Sequence, residues 1–170
     1  GCFRVKVIKE KSIVCNLNLQ NSYYTVLYLP IQDLYIISLH LPSQLYNSFD
    51  GLKNFVRRMR ENIDVNIGKS NDTRVLIIGD FNVNPFESPM IGFDGFSATN
   101  SKIFRDRVSH YGDERILYYN PTWKLYSENS FPGTKYFARP STTSFDILEH
   151  HFLDQVLLSE KLAKDLEYED

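Results

Sequence analysis

The sequence predicts a mixed α/β (α+β) domain with layered sheets, and three observations carry that prediction. Short segments with strand patterning recur from the start of the chain to Leu158. One long segment, Ser48 to Ile67, spaces its apolar residues as a helix does. The connections after Phe81 are long, and long connections are uncommon in a compact domain unless they serve a function.

Along the chain, Phe3 to Ile8 alternates Phe3, Val5 and Val7 with Arg4 and Lys6, the pattern of a half-buried strand. Ser12 to Leu19 and Tyr23 to Leu29 are two further strands, with Gln20, Asn21 and Ser22 as the hairpin turn between them. Leu34 to Leu39 is a nearly continuous apolar run, typical of a strand covered on both faces, and Pro42 stops its ladder. In the helix, Phe49, Leu52, Phe55, Val56, Met59 and Ile63 fall at helical spacing, Ser48 caps the start and Gly68 ends it. Lys69 to Thr73 is a polar loop, and Val75 to Ile78 is a short buried strand closed by Gly79. Asn82 to Asp146 reads as largely loop, with a short helix at Lys102 to Val108. Phe152 to Leu158 is the last strand, and Ser159 to Leu166 begins a helix.

With 170 residues, 42% of them hydrophobic and 24% charged, the chain can form one globular domain with a sizeable core. A formal charge of −2 and a pI near 6.1 exclude a strongly basic nucleic-acid module. They do not exclude a nuclease, because bound divalent cations supply positive charge that a sequence does not show. Cys2 and Cys15 are too few for a disulfide scaffold and form no CxxC pattern, so a reduced, cytoplasmic compartment is expected. No apolar run approaches the length needed to span a membrane.

Four residues stand where chemistry is expected. Asp80 and Asn82 follow a buried strand, and in extended geometry their side chains point the same way. A carboxylate beside an amide suits a hard cation such as Mg²⁺ and an attacking water; a Gly-Asp and Asn-Pro turn is the competing reading. His40, at the end of another buried strand, can protonate a leaving oxygen or simply cap strand hydrogen bonds. Asp154 lies within an apolar strand, where a carboxylate is costly unless it is paired, either with a catalytic His or in a salt bridge or turn contact. His110, His150 and His151 lack zinc-ligand spacing and are expected to be surface or packing residues. Trp123 is expected either as a substrate-facing wall or as a buried structural aromatic. Arg57, Arg58 and Arg60 are expected on the solvated face of the long helix.

Three separated stretches, Ile37 to Ser43, Ile77 to Glu87 and Phe152 to Ser159, resemble the endonuclease/exonuclease/phosphatase superfamily and occur in that family's order. Asn84-Pro85-Phe86-Glu87, Tyr119 to Trp123 and Pro132-Gly133-Thr134 resemble a bacterial branch whose substrate is generally unassigned. The resemblance covers nearly the whole chain as a single domain. It implies a four-layer sandwich of two facing mixed β-sheets flanked by helices. It also implies hydrolysis of a phosphodiester or phosphomonoester by in-line attack of water, assisted by Mg²⁺ or Mn²⁺. By resemblance, Asp80 orients or deprotonates the water and touches the metal. Asn82 likewise binds the phosphate and helps hold metal and water, His40 lies near the leaving group, and Asp154 orients a second, more C-terminal His.

Two departures shape the expectation. The family's Asn and metal-binding Glu, on earlier strands, have no counterpart before Phe3, and no Ser-Asp-His run follows Asp154. A complete sandwich of this kind takes about 200–250 residues, so the chain is expected to be a central and late segment with weak or no activity by itself. The expected partner is a phosphate-ester substrate, nucleic acid among the candidates. A binding or scaffold domain with a relict site, and an unrelated α/β domain with chance turns, are the rivals.

Overall fold

The first hairpin is set by Asn21, whose Oδ1 accepts the backbone N–H groups of Tyr23 and Tyr24 at 2.8 and 3.0 Å. This turn joins β1 (Asn16–Gln20) to β2 (Tyr24–Leu29). The structure, a computed structural model, describes residues 15–44, 48–68, 73–102, 107–126 and 151–165. The strand expected at Phe3 to Ile8, most of the loop at Lys69 to Thr73 and His150 lie outside them.

β2 pairs antiparallel with β3 (Leu34–His40), and α1 (Phe49–Ile67) then carries the chain across to β4 (Arg74–Asp80), which lies parallel to β3. A parallel neighbour requires such a crossover, and α1 supplies it. Ser48 Oγ accepts the Gly51 N–H at 3.1 Å, and Gly68, at φ 76°, closes the helix as expected. After α2 (Ser88–Ile91) come the short strands β5 (Ala98–Thr99), β6 (Arg107–His110), β7 (Asp113–Ile116) and β8 (Tyr118–Tyr119). Helix α3 (Thr122–Tyr126), strand β9 (Asp154–Ser159) and helix α4 (Glu160–Asp165) complete the described chain. Among the described residues the fold is α+β: a mixed seven-stranded sheet in the order β1-β2-β3-β4-β9-β8-β5, a two-stranded sheet β6-β7, and helices.

The large sheet buries two different faces. Val26, Ile37, Leu39, Val75, Ile77 and Leu157 pack with Leu52, Val56, Met59 and Ile63 of α1 in the main core. On the other face Leu76, Val156 and Leu158 meet Leu162 and Ala163 of α4. Fully burying one Val, Leu or Ile is worth on the order of 1.5–3 kcal/mol, against about 1 kcal/mol for a helix cap. The α1 seam, not its capping, therefore fixes that helix on the sheet.

Three expectations need correction. Arg60 is not on the solvated face of α1: it is fully buried. Its guanidinium donates to Phe96 O and Ile116 O at 3.1 and 3.0 Å and pairs with Asp64 Oδ1 at 2.7 Å, stacked 4.5 Å from the Tyr118 ring centroid. This pairing is what makes a buried charge tolerable, while Arg57 does stay in a half-exposed i,i+4 pair with Glu61. The described residues between Asn82 and Asp146 carry elements of only two to five residues each, too short to show periodicity. The helix expected at Lys102 to Val108 is not formed at its described ends, because Lys102 sits in a bend and Arg107 and Val108 open β6. Tyr111 (φ 49°) and Gly112 (φ 88°) form the tight turn of that hairpin. Finally, Gly79 does not close β4; the ladder continues through it to Asp80.

Gly79 is needed for that continuation. Its φ is 150°, and a Cβ added there would lie 1.9 Å from the carbonyl oxygen of Leu39, its partner on β3. The neighbour is backbone, so it cannot rotate away. Gly79→Ala is expected to destabilise the fold by about 3 kcal/mol or more, combining an unfavourable φ with a backbone clash. Urea unfolding with an unchanged m-value and a lowered midpoint is the expected result; an unaltered midpoint would show that the two backbones can separate at no cost.

Candidate active site

Ladder register brings the separated sequence motifs together. In the parallel pair, His40 lies opposite Asp80; in the antiparallel pair of β4 with β9, Asp80 lies opposite Asp154. Three residues from three distant parts of the chain thus form one row across three adjacent strands. Neighbouring strands are about 4.8 Å apart, so the row is roughly 10 Å wide. His40 and Asp154 both flank Asp80 on the face opposite α1, because the odd-numbered Leu39, Ile77 and Leu157 of the three strands pack in the α1 core while the even-numbered Leu76, Val156 and Leu158 pack on the other side.

His40 Nε2 is 3.7 Å from Asp80 Oδ2, and both side chains are about one-third exposed (37% and 33%). The His40 backbone N–H donates to Tyr23 O at 2.8 Å, which anchors the strand end. Burial pushes the Asp80 carboxyl above the usual carboxylate range. The Asn82 backbone N–H and the neighbouring His40 pull it down, and the Asp154 carboxylate pushes it further up.

Asn82 departs from the extended geometry that its spacing suggests. Its φ is 51°, a left-handed conformation that Asn tolerates, so it does not share a strand face with Asp80. Instead its backbone N–H donates to Asp80 Oδ1 at 2.9 Å and its Nδ2 donates to Leu41 O at 2.8 Å. The turn and the site are therefore one structure: an Asx turn that locks Asp80 also ties the end of β4 to the segment after His40. Leu41 N–H donates back to Asp80 O at 2.8 Å.

Asp154 differs from its expectation in burial. It is the first residue of β9 and is exposed, so it carries no desolvation cost of the kind a strand interior would impose. Trp123 is half-buried on α3, with its ring edge-on to Phe86 at a centroid distance of 6.2 Å and its Nε1 buried without a partner among the described residues. It stands beside the loop that follows Asn82.

Beneath this row lies a set of buried amides that sequence patterning missed. Gln155 is 2% exposed, and its Nε2 donates to Val83 O at 2.6 Å and to Phe152 O at 2.8 Å. Its Oε1 accepts from Asn120 Nδ2 at 2.8 Å, and Asn120 Oδ1 in turn accepts the Thr122 N–H at 3.0 Å. Asn84 is equally buried; its Oδ1 accepts the Phe152 N–H at 3.1 Å, and its Nδ2 lies 2.9 Å from His151 Nδ1. These bonds clamp the loop after Asp80 to the lead-in of β9. Two polar residues, Asp154 and Gln155, opening an apolar run were the available signal, and His151 is a partner of Asn84 rather than only a surface residue.

The donors fit a hard divalent cation in kind. Asp80 and the Asn82 side-chain oxygen offer oxygen donors of the kind such a cation takes, and Mg²⁺ commonly binds through one or two carboxylates while keeping several waters. Among the described residues, no group of three or more His, Cys, Asp or Glu is placed to hold a metal ion. No helix among them is long and apolar enough to cross a membrane. No family model matches the sequence, and no curated protein matches it significantly.

The raised Asp80 pKa has a consequence for stability. A carboxyl whose folded pKa is raised contributes stability that is present below its unfolded pKa and lost as pH rises through the folded value. Ionised Asp80 thus destabilises the fold near neutrality. Asp80→Asn, which can still accept the Asn82 N–H, is expected to raise the urea midpoint at about pH 7 and to have little effect at about pH 3, where carboxyls are protonated. A variant less stable than the parent at neutral pH would show that the pairing with His40 outweighs burial.

Proposed function

We propose that the chain carries a divalent-metal-dependent phosphoesterase site that cleaves a phosphodiester or phosphomonoester by in-line attack of water. The observation that carries this reading is the His40–Asp80–Asp154 row in adjacent register at one end of the sheet. The order and spacing of the motifs, which resemble the endonuclease/exonuclease/phosphatase superfamily, support it.

In this reading Asp80 accepts a proton from the attacking water, and its raised pKa makes it a stronger base than an ordinary exposed carboxylate. The water oxygen bonds to phosphorus, the ester P–O bond breaks, and the leaving oxygen takes a proton from His40. Asn82 has a second N–H beyond the one given to Leu41 O, and that N–H can bind a phosphoryl oxygen. Asp154 adds negative charge beside Asp80 and so favours a cation there. A cation held by Asp80 and Asn82, Mg²⁺ or Mn²⁺, would supply charge stabilisation of the phosphoryl group. Trp123 and the adjoining loop are proposed to border the substrate.

In the full-length protein, Asp80→Asn and His40→Ala are each expected to lower the Mg²⁺-dependent kcat/KM for a nitrophenyl phosphodiester or monoester by about 10²–10⁴-fold. Near-parental rates in either variant would remove that residue from the mechanism.

A second reading is a non-catalytic binding domain on the same scaffold. The two readings separate on metal titration: a working site is expected to raise the thermal midpoint with Mg²⁺ by mass action, and Asp80→Asn to abolish the rise. A parental midpoint indifferent to Mg²⁺ would favour the binding domain.

A further inference from the structure

We propose that the tip of the β6–β7 hairpin docks an arginine-bearing segment of a partner protein, with a guanidinium stacked on Tyr111 and paired with Asp113. Such docking needs no activity at the His40–Asp80–Asp154 row. Tyr111 is 96% exposed, so its ring gains almost nothing from folding. Its φ is 49°, and Gly112 follows at 88°. In a two-residue hairpin turn with both φ values positive, Asn, Asp and Gly fit with least strain. A bulky aromatic at the first of these positions is disfavoured there. Local stability therefore does not explain why a tyrosine stands at the tip.

The Tyr111 ring is the outer end of an aromatic run. It meets the His110 ring edge-on, with centroids 4.4 Å apart, and His110 in turn lies tilted against Phe93 at 5.3 Å. The inner end of the run already carries an arginine. The Arg115 guanidinium lies over the Phe93 ring, 5.4 Å from its centroid. The same guanidinium pairs with Asp64 Oδ2 at 3.4 Å and Glu61 Oε1 at 3.9 Å. One end of the run thus shows the contact set that an arginine makes with an aromatic ring flanked by carboxylates.

The outer end offers the same two elements without the cation. Asp113 stands directly opposite His110 in the β6–β7 ladder and so shares its face. Asp113 and its neighbour Glu114 are exposed, as is Asp94 beside Phe93. Among the described residues none of the three makes an ion pair. These carboxylates, on a chain of net charge −2, repel the phosphates of a nucleic acid and attract a cation. Arginine fits better than lysine, because a planar guanidinium can lie on the ring and still fork to a carboxylate.

Tyr111→Asn removes the ring and leaves a residue that tolerates a left-handed φ, so this variant is expected to keep the parental Tm or exceed it. Titration of the full-length protein with a hexa-arginine peptide is expected to shift the amide resonances of residues 110–114. The Kd is expected to weaken by about 3- to 10-fold in Tyr111→Asn, and similarly in Asp113→Asn. A hexa-lysine peptide of equal charge is expected to bind the parent more weakly and to be indifferent to Tyr111→Asn. An arginine-peptide Kd unchanged in Tyr111→Asn, equal affinity for the lysine peptide, or resonance shifts confined to other surfaces would each overturn the proposal. So would an oligothymidylate that binds the hairpin in a Tyr111-dependent way, since the tip would then read bases. A Tm lowered by Tyr111→Asn would count against it equally, by showing that the ring serves folding.

Discussion

The parallel ladder between β3 and β4 brings the backbones of Leu39 and Gly79 so close that no side chain fits between them. The next residue pair along that ladder is His40 and Asp80, and the candidate site depends on their register. A slip of β4 by one residue would turn Asp80 into the α1 core. The α1 seam, through Leu52, Val56, Met59 and Ile63, holds the two strands against one helix and makes the register costly to change. Asp154 joins the row only because β9 adds to β4 from the other side with Asp80 as its opposite residue.

Polar bonds then do at the strand ends what apolar packing does along the strands. A loop that leaves a strand at a left-handed Asn would be free to move if only its turn held it. Here Gln155, Asn120 and Asn84 form a buried amide network that grips Val83, Phe152 and the segment around Thr122. Each such bond adds only about 1 kcal/mol net, but leaving its buried partner unsatisfied costs about 1–3 kcal/mol. The network therefore acts more against alternative loop positions than as a source of bulk stability. Arg60 has an equivalent role on the far side, where its guanidinium joins α1 to the carbonyls of Phe96 and Ile116.

The candidate site sets stability against the chemistry proposed for it. Partial burial and the facing Asp154 make an ionised Asp80 unfavourable, while His40 and the Asn82 N–H partly offset this. A group placed so that its charged form is uncomfortable is what a general base requires and what a cation relieves. The same tension weakens any reading of Asp80 as a turn former alone, since a turn needs no second carboxylate opposite it.

The sequence by itself determined the hairpin at Asn21, the limits of α1 from Ser48 to Gly68, the presence of β3 and β4, and the late strand followed by a helix, but β3 and β4 are buried only at the alternate residues Ile37, Leu39, Val75 and Ile77 and not along their length. These features are local: capping, turn chemistry and apolar periodicity act over a few residues, so patterning exposes them. It also singled out His40, Asp80 and Asp154, but the sequence alone could not set them in one row. That required strand order and register, which depend on contacts between residues far apart in the chain. The same holds for Arg60, which is polar by composition and became buried because Asp64 and two distant carbonyls could pair with it. It holds for the strands of two residues at β5 and β8, which exist only because neighbouring strands hold them. Asn84 and His151, separated by most of the second half of the chain, meet for that reason too: hydrogen-bond complementarity between distant segments leaves no periodic trace in a sequence.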